Sequence, residues 1–417
     1  MTPERLLSDF STSSPDGANA DFMRLCLFDW IMCGQAGAGE PVSHLLRPQM
    51  AEAGEARLFG GGTASATQAA LFNGATSHAL DYDDTHFAHI GHTSVVVLSA
   101  VCAVAQAQGR TVDQLIEAAI VGSDAAVRIG EYFGRSHYQA GFHQTATSGA
   151  FGATLAVARL MELSPDQTIA AMGLCASQAS GLKAQFGSMG KPINAGLAAS
   201  AALQAASWAL AGVTATPSGL RAFDDTHHGS GNEDAFHGLG DVWKFEGISH
   251  KFHACCHGLH AMLEALRQVD VPADEIERIV VETHPRWMTV CNIEQPTSGL
   301  QGKFSYKIAA AMSLAGLDTG DIKTFSDEIV KRSDIIALAQ KVSVKERSDL
   351  KETEVRVTVT SPSAETVISH DIQTPMQVSE LKQRLFDKAH VLVGAEAAER
   401  NWAAVHTQEA HQLTAVF

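Results

Sequence analysis

The chain has 417 residues, 45% of them apolar and 18% charged, enough to bury a large core and too apolar for a disordered chain. A formal net charge of −16 excludes nucleic acid as a partner, which needs a basic stripe, and leaves any anionic substrate to be met by a few local cations. The seven cysteines are odd in number and scattered, no CxxC and no signal peptide occur, and the longest apolar run (95–107) is too short to span a bilayer, so a soluble, cytoplasmic protein is expected, with no membrane contact.

In chain order, residues 1–19 are polar and read as a loose start. Residues 21–32 have helical periodicity, with Phe22, Leu25, Phe28, Asp29 and Met32 near one face. Gly34, Gly37 and Gly39 follow a helical pattern, so they read as a helix stop rather than a phosphate loop. From 64 to 211 Ala-rich helical patterns follow one another, at 64–80, 95–107, 113–130, 146–163, 165–179 and 193–211. Thr111-Val112-Asp113 and Ser164-Pro165-Asp166 are helix-start signals. Residues 223–243 read as a polar loop. The texture then changes near Val271: 277–283 and 354–360 alternate as strands do, and 365–372 reads as a third. Helical runs at 306–315 and 326–339 lie between them, and the chain is helical again after Met376. The expectation is a mainly α protein, with a large all-helical domain over 1–268 and 390–417 and a smaller α+β lid domain over 269–389.

Residues 74–94, GATSHALDYDDTHFAHIGHTS, crowd Asp81, Asp83 and Asp84 with His78, His86, His89 and His92. Carboxylates beside imidazoles can orient a histidine that moves protons, or hold a metal, or be a solvated loop. His143 precedes the helix expected from 146, a place to hold an anion or move a proton, or a surface position. Lys191, between Gly190 and Pro192, reads as an anion clamp, a base of lowered pKa, or a solvated lysine. Residues 249–257, SHKFHACCH, form a dense cationic patch, and Tyr306 and Lys307 lie in a further segment, FSYK. His86, His89 and His92 are spaced by three, as are His257 and His260, but no HExxH occurs, and no metal is expected.

Together these segments resemble the MmgE/PrpD family, whose members include 2-methylcitrate dehydratase, cis-aconitate decarboxylase and iminodisuccinate epimerase. AALFNGATSHALDYDDTH (69–86), the His-Thr-Ser at 92–94, FHQTATSGAFGATLAVARL (142–160), SQASGL (177–182), GKPINAGLAASAA (190–202) and FSYKIAAAM (304–312) carry the likeness, over most of 20–315. The resemblance implies a homodimer that needs no cofactor or metal and binds a small di- or tricarboxylate between its domains. It also implies a site that includes Asp81, Thr85, His92, His143 and Lys191.

Three positions depart from the family pattern. His250 stands where a lysine is expected in the frame ending at Cys255, with Lys251 one place off. Asn194 stands where a histidine often follows the GK lysine by three. Ile308 replaces a tyrosine, with Tyr306 two residues early. These departures fall where a dehydratase handles its leaving group, so the sequence points to an epimerase of iminodisuccinate, acting by α-proton abstraction and re-addition. The alternatives are a hydro-lyase of the 2-methylcitrate type and a decarboxylase of a cis-aconitate-like tricarboxylate. The expected catalytic groups are Asp81, His92, His143, Lys191, His250 and Cys255, with Thr85, Lys251, His257 and Tyr306 binding substrate.

Overall fold

The computed structural model describes residues 1–50 and 53–417. It is mainly helical and divides into two compact units, Met1–His250 with Val393–Phe417, and Lys251–Leu392.

The first unit is a helical body, and its helices begin where short polar side chains can satisfy the free N–H groups of a first turn. Helix α1 (Gly17–Gly37) opens with a capping box between Asp16 and Asn19. Ser65 caps α2 (Ala66–Ser77), and α3 (Ser94–Gln108) runs almost entirely buried. Helix α4 (Val112–Gln139) starts on a Thr111–Gln114 capping box and is followed by α5 (Gln144–Leu160). Helix α6 (Pro165–Ala176) starts on a Ser164–Gln167 box with Pro165 at its first turn, and α7 is Gly190–Leu210. Small side chains bring these helices together. A Cβ on Gly196 of α7 would fall 2.2 Å from the Leu71 carbonyl oxygen of α2, and one on Gly74 of α2 would fall 2.8 Å from Gly196 Cα. That backbone contact places the first turn of α7 beside the chain leaving α2. The stretch expected to be loop, 223–243, begins inside a helix, Gly219–Thr226, whose Leu220 and Phe223 are buried.

The second unit is built on a four-stranded sheet. Strand β1 (Arg278–Thr283) pairs in parallel with β2 (Val342–Glu346), and antiparallel with β3 (Glu354–Thr360), which pairs antiparallel with β4 (Glu365–Asp371). Val355, Val357 and Val359 alternate inward on β3, the pattern legible in EVRVTVT. The short helix His260–Leu266 packs against β3 and β4, which is why this unit begins at Lys251 and not at the change of texture near Val271. Among the described residues no helix is long and apolar enough to cross a membrane.

Candidate active site

The segment joining α2 to α3 is folded back on itself. Asp81 and Ile90 both take the left-handed backbone conformation, at φ 52° and 54°, a strained choice for Ile90 in particular. His86 N–H donates to the Gly91 carbonyl at 2.8 Å and closes the loop that carries His89. A Cβ on Gly91 would fall 2.8 Å from the Thr145 nitrogen, so only glycine lets this loop lie against the start of α5. There the His92 backbone N–H donates to Thr145 Oγ1 at 3.0 Å, which fixes the residue carrying the imidazole.

One continuous row of side chains results. Lys191 Nζ donates to Asp81 Oδ1 at 2.7 Å. His92 Nε2 lies 3.4 Å from the same oxygen, and His92 Nδ1 lies 3.1 Å from Asp83 Oδ2. Asp83 also takes His78 Nδ1, at 3.0 and 2.9 Å from its two oxygens. The row runs from an open end to a sealed one: the Asp81 side chain is 35% exposed and Lys191 15%, whereas Asp83 is 3% and His78 0%. His143 flanks it, its ring 6.1 Å from that of His78 and 5.0 Å from Phe186. Lys191 Nζ lies 5.5 Å from the same Phe186 ring. Asn194, one turn along α7 from Lys191, places Nδ2 3.3 Å from His143 Nδ1.

Burial sets the charges. It penalises an ionised Asp83, but His78 and His92 beside it outweigh that and hold its carboxyl well below the usual range. Burial lowers His92 to about 4, against the attraction of Asp83. His143 is lowered well below the usual imidazole range by burial, then by Lys191, His78 and His92. At neutral pH an ionised Asp83 therefore lies beside neutral His92 and His143 imidazoles, with the Lys191 amine at the open end of the row. A substrate carboxylate can pair with Lys191 while a neutral imidazole takes or gives a proton at the neighbouring carbon.

Asp81, His92, His143 and Lys191 are thus brought together. Thr85 forms an antiparallel bridge with Ser249, exchanging backbone hydrogen bonds at 2.9 and 2.7 Å. His250 is grouped instead with Cys26 and Asp84, all three buried. There burial first, then Asp29 and Asp83, push the Asp84 carboxyl up to about 7, against a hydrogen bond from Ser94. In the second unit Lys251, Cys255, His257 and Tyr306 are all buried. Tyr306 Oη donates to the Gly258 carbonyl at 2.7 Å and lies 3.0 Å from Thr283 Oγ1, the contacts of a core tyrosine. His253 Nε2 there meets Glu264 Oε1 at 3.0 Å, and Arg384 donates to the same carboxylate.

Sequence reasoning singled out neither His78 nor Asp83 from the crowded stretch, and read Asn194 only as a departure. The five-residue spacing of His78 and Asp83 across a turn was the available signal. Two groups have donor atoms within 4.8 Å of one another, as a metal would need: His78, Asp83 and His92, and Cys26, Asp84 and His250. In the first, the 2.9 Å separation of His78 Nδ1 from Asp83 is that of an N–H donor on a carboxylate. In the second, burial, Asp84 and Asp29 push the Cys26 thiol well up, so the set as it stands holds protons, not a thiolate.

The row sets a lysine beside neutral imidazoles, groups that can pair with a carboxylate and transfer a proton. The chain belongs to the MmgE/PrpD family: residues 6–229 match the MmgE/PrpD N-terminal domain and residues 253–409 the MmgE/PrpD C-terminal domain. It is 28% identical over 418 residues to the cis-aconitate decarboxylase of Aspergillus terreus, covering 89% of this chain and 84% of that protein. The cis-aconitate decarboxylase-like protein oryM of Aspergillus oryzae (strain ATCC 42149 / RIB 40) is 30% identical over 275 residues, 58% of this chain and 55% of its own.

Proposed function

We propose that the chain is a lyase acting on a small tricarboxylate of the cis-aconitate kind, by release of a carboxyl group as CO2 and protonation of the carbon left behind. The observation that carries this is the row Lys191–Asp81–His92–Asp83, a cation at its open end beside buried neutral imidazoles. The likeness to a cis-aconitate decarboxylase across 89% of the chain supports the substrate class. As the C–CO2 bond breaks, its electron pair stays on carbon, delocalised into a neighbouring carboxylate. Lys191 offsets that charge; a well-placed donor of this kind is worth roughly 3 kcal/mol. A histidine N–H then forms the new C–H bond.

The epimerase reading also has an observation in its favour. His250, in the place of a lysine, is buried with Cys26 and Asp84, and Tyr306 spends its hydroxyl on Gly258. Epimerisation needs proton transfer but no departing group. Separate incubations with cis-aconitate, 2-methylcitrate and iminodisuccinate, followed by proton NMR and CO2 release, test the three chemistries. The lyase reading expects CO2 from cis-aconitate; stereoisomer exchange of iminodisuccinate without CO2 would replace it by the epimerase.

A homodimer is part of the same proposal. Leu197 and Trp208 on α7 are 51% and 44% exposed, an apolar surface that a second copy would cover. A monomeric mass in light scattering would remove it.

A further inference from the structure

His143 is buried at the start of α5, and one neighbour decides which of its ring nitrogens carries the proton. Asn194 Nδ2 lies 3.3 Å from the Leu182 carbonyl oxygen and 3.3 Å from His143 Nδ1. A carbonyl only accepts, so the amide group facing Leu182 is the NH2 and not the oxygen. Its two hydrogens serve the two partners, one on Leu182 and one on His143. His143 Nδ1 must then be the acceptor, and a neutral imidazole that accepts at Nδ1 carries its hydrogen on Nε2. At the neighbouring His78 the rule is reversed. Asp83 is an acceptor only, so His78 Nδ1, 2.9 Å away, donates to it. His92 stands between two carboxylates, Nδ1 3.1 Å from Asp83 Oδ2 and Nε2 3.4 Å from Asp81 Oδ1, so no neighbour selects its tautomer.

We propose that Asn194 is a positioning residue that locks His143 as its Nε2–H tautomer, so that His143 is the proton donor of this site. Asn194 touches no reacting atom; it acts through His143. When Nε2–H passes to carbon the ring is left an imidazolate, whose Nδ1 keeps the Asn194 N–H, and Nε2 takes a proton back from solvent after product leaves. The catalytic meaning of the lock rests on the proton-transfer reading above; the tautomers do not.

The test is long-range proton–nitrogen NMR of the full chain with 15N-labelled histidine, His143 being assigned by the signals lost in His143→Gln. The expected spectrum has Nδ1 of His143 unprotonated and Nε2 protonated. A protonated Nδ1 overturns the lock, whatever the activity. Asn194→Asp replaces the donor by an acceptor and should transfer the proton to Nδ1, with kcat falling at least tenfold and KM within about twofold. Asn194→Leu removes the donor without supplying an acceptor, and should leave a mixture of tautomers. An Asn194→Asp protein that folds and keeps the Nε2–H signal contradicts the proposal. If Asn194→Asp does not fold, the wild-type spectrum alone decides. An Nε2–H signal in a wild-type protein that turns over none of the three carboxylates keeps the lock and removes the proton-transfer reading.

Discussion

Lys191 and Asp81 are joined at 2.7 Å across 110 residues of sequence, the one from the first turn of α7 and the other from a left-handed turn after α2. The pair exists because Gly74 and Gly196 let those two helices touch backbone to backbone. It lies at the open end of the row, so a substrate carboxylate can compete with Asp81 for the ammonium.

Replacing Lys191 should therefore stop chemistry and spare the fold. Lys191→Met is expected to lower kcat/KM by about 10²–10³, the usual effect of removing one charge-stabilising donor. Far-UV circular dichroism should be unchanged, because the pair is partly solvated. Wild-type turnover would remove Lys191 from the site.

Asp83 is the opposite case. It is sealed, and it serves His78 and His92 together. Asp83→Ala leaves the buried His78 N–H without its acceptor, and should cost about 1–3 kcal/mol in urea unfolding, as stranding a buried donor does. A loss below about 0.5 kcal/mol would mean that water replaces the carboxylate.

Acid should destabilise the protein through its buried histidines. Burial lowers His86 to about 4, His89 to about 3 and His92 to about 4. An unfolded histidine titrates near ~6.5. Between that pH and about 4 the unfolded chain binds more protons than the folded one, so stability present above ~6.5 is lost as the pH falls. The urea midpoint should be lower at pH 5 than at pH 7.5; equal midpoints would contradict this.

Asp84 works in the other direction. Its folded pKa is raised to about 7, against ~3.9 when unfolded. As the pH rises between those values the unfolded carboxyl ionises while the folded one keeps its proton, so the unfolded state gains. Cys26, Asp29, Asp83, Ser94 and His250 surround this carboxyl, and the two other carboxylates disfavour its ionisation. Asp84→Asn retains an oxygen for the Ser94 N–H, 3.3 Å from Oδ1 in the wild type. Its stability relative to wild type should rise from pH 4 to pH 7, by at most ~4 kcal/mol. A pH-independent difference would show that Asp84 is ionised in the folded protein. Burial also lowers His137 to about 4 and lowers His143, His253 and His260, whereas it raises Asp124 and lifts Asp224 to about 6, so the histidines outnumber the raised carboxyls and acid destabilisation should dominate in the wild type.

The sequence carried the parts of this account that depend on local rules. Ser164-Pro165 and Thr111 start helices as their side chains require, and the alternation of 354–360 is a strand with its valines inward. Strand β2, VSVKE, is short and half-exposed, so its pattern is faint. The helix at Gly219–Thr226 hides because its apolar residues, Leu220 and Phe223, are few among polar ones. In the site, Asp81, His92, His143 and Lys191 were legible as residue types in a known order. The pairing of His78 with Asp83 was not, since it depends on a turn through a positive φ at Asp81. Nor was the aim of the Asn194 amide, which is set by the Leu182 carbonyl 12 residues away.

The most direct measurement is proton NMR of cis-aconitate with the protein in heavy water, wild type beside His143→Gln. The account predicts CO2 and a decarboxylated product carrying one solvent deuterium in the wild type, and at least a hundredfold slower product formation in the variant. A product without solvent deuterium, or equal rates in the two proteins, would contradict it.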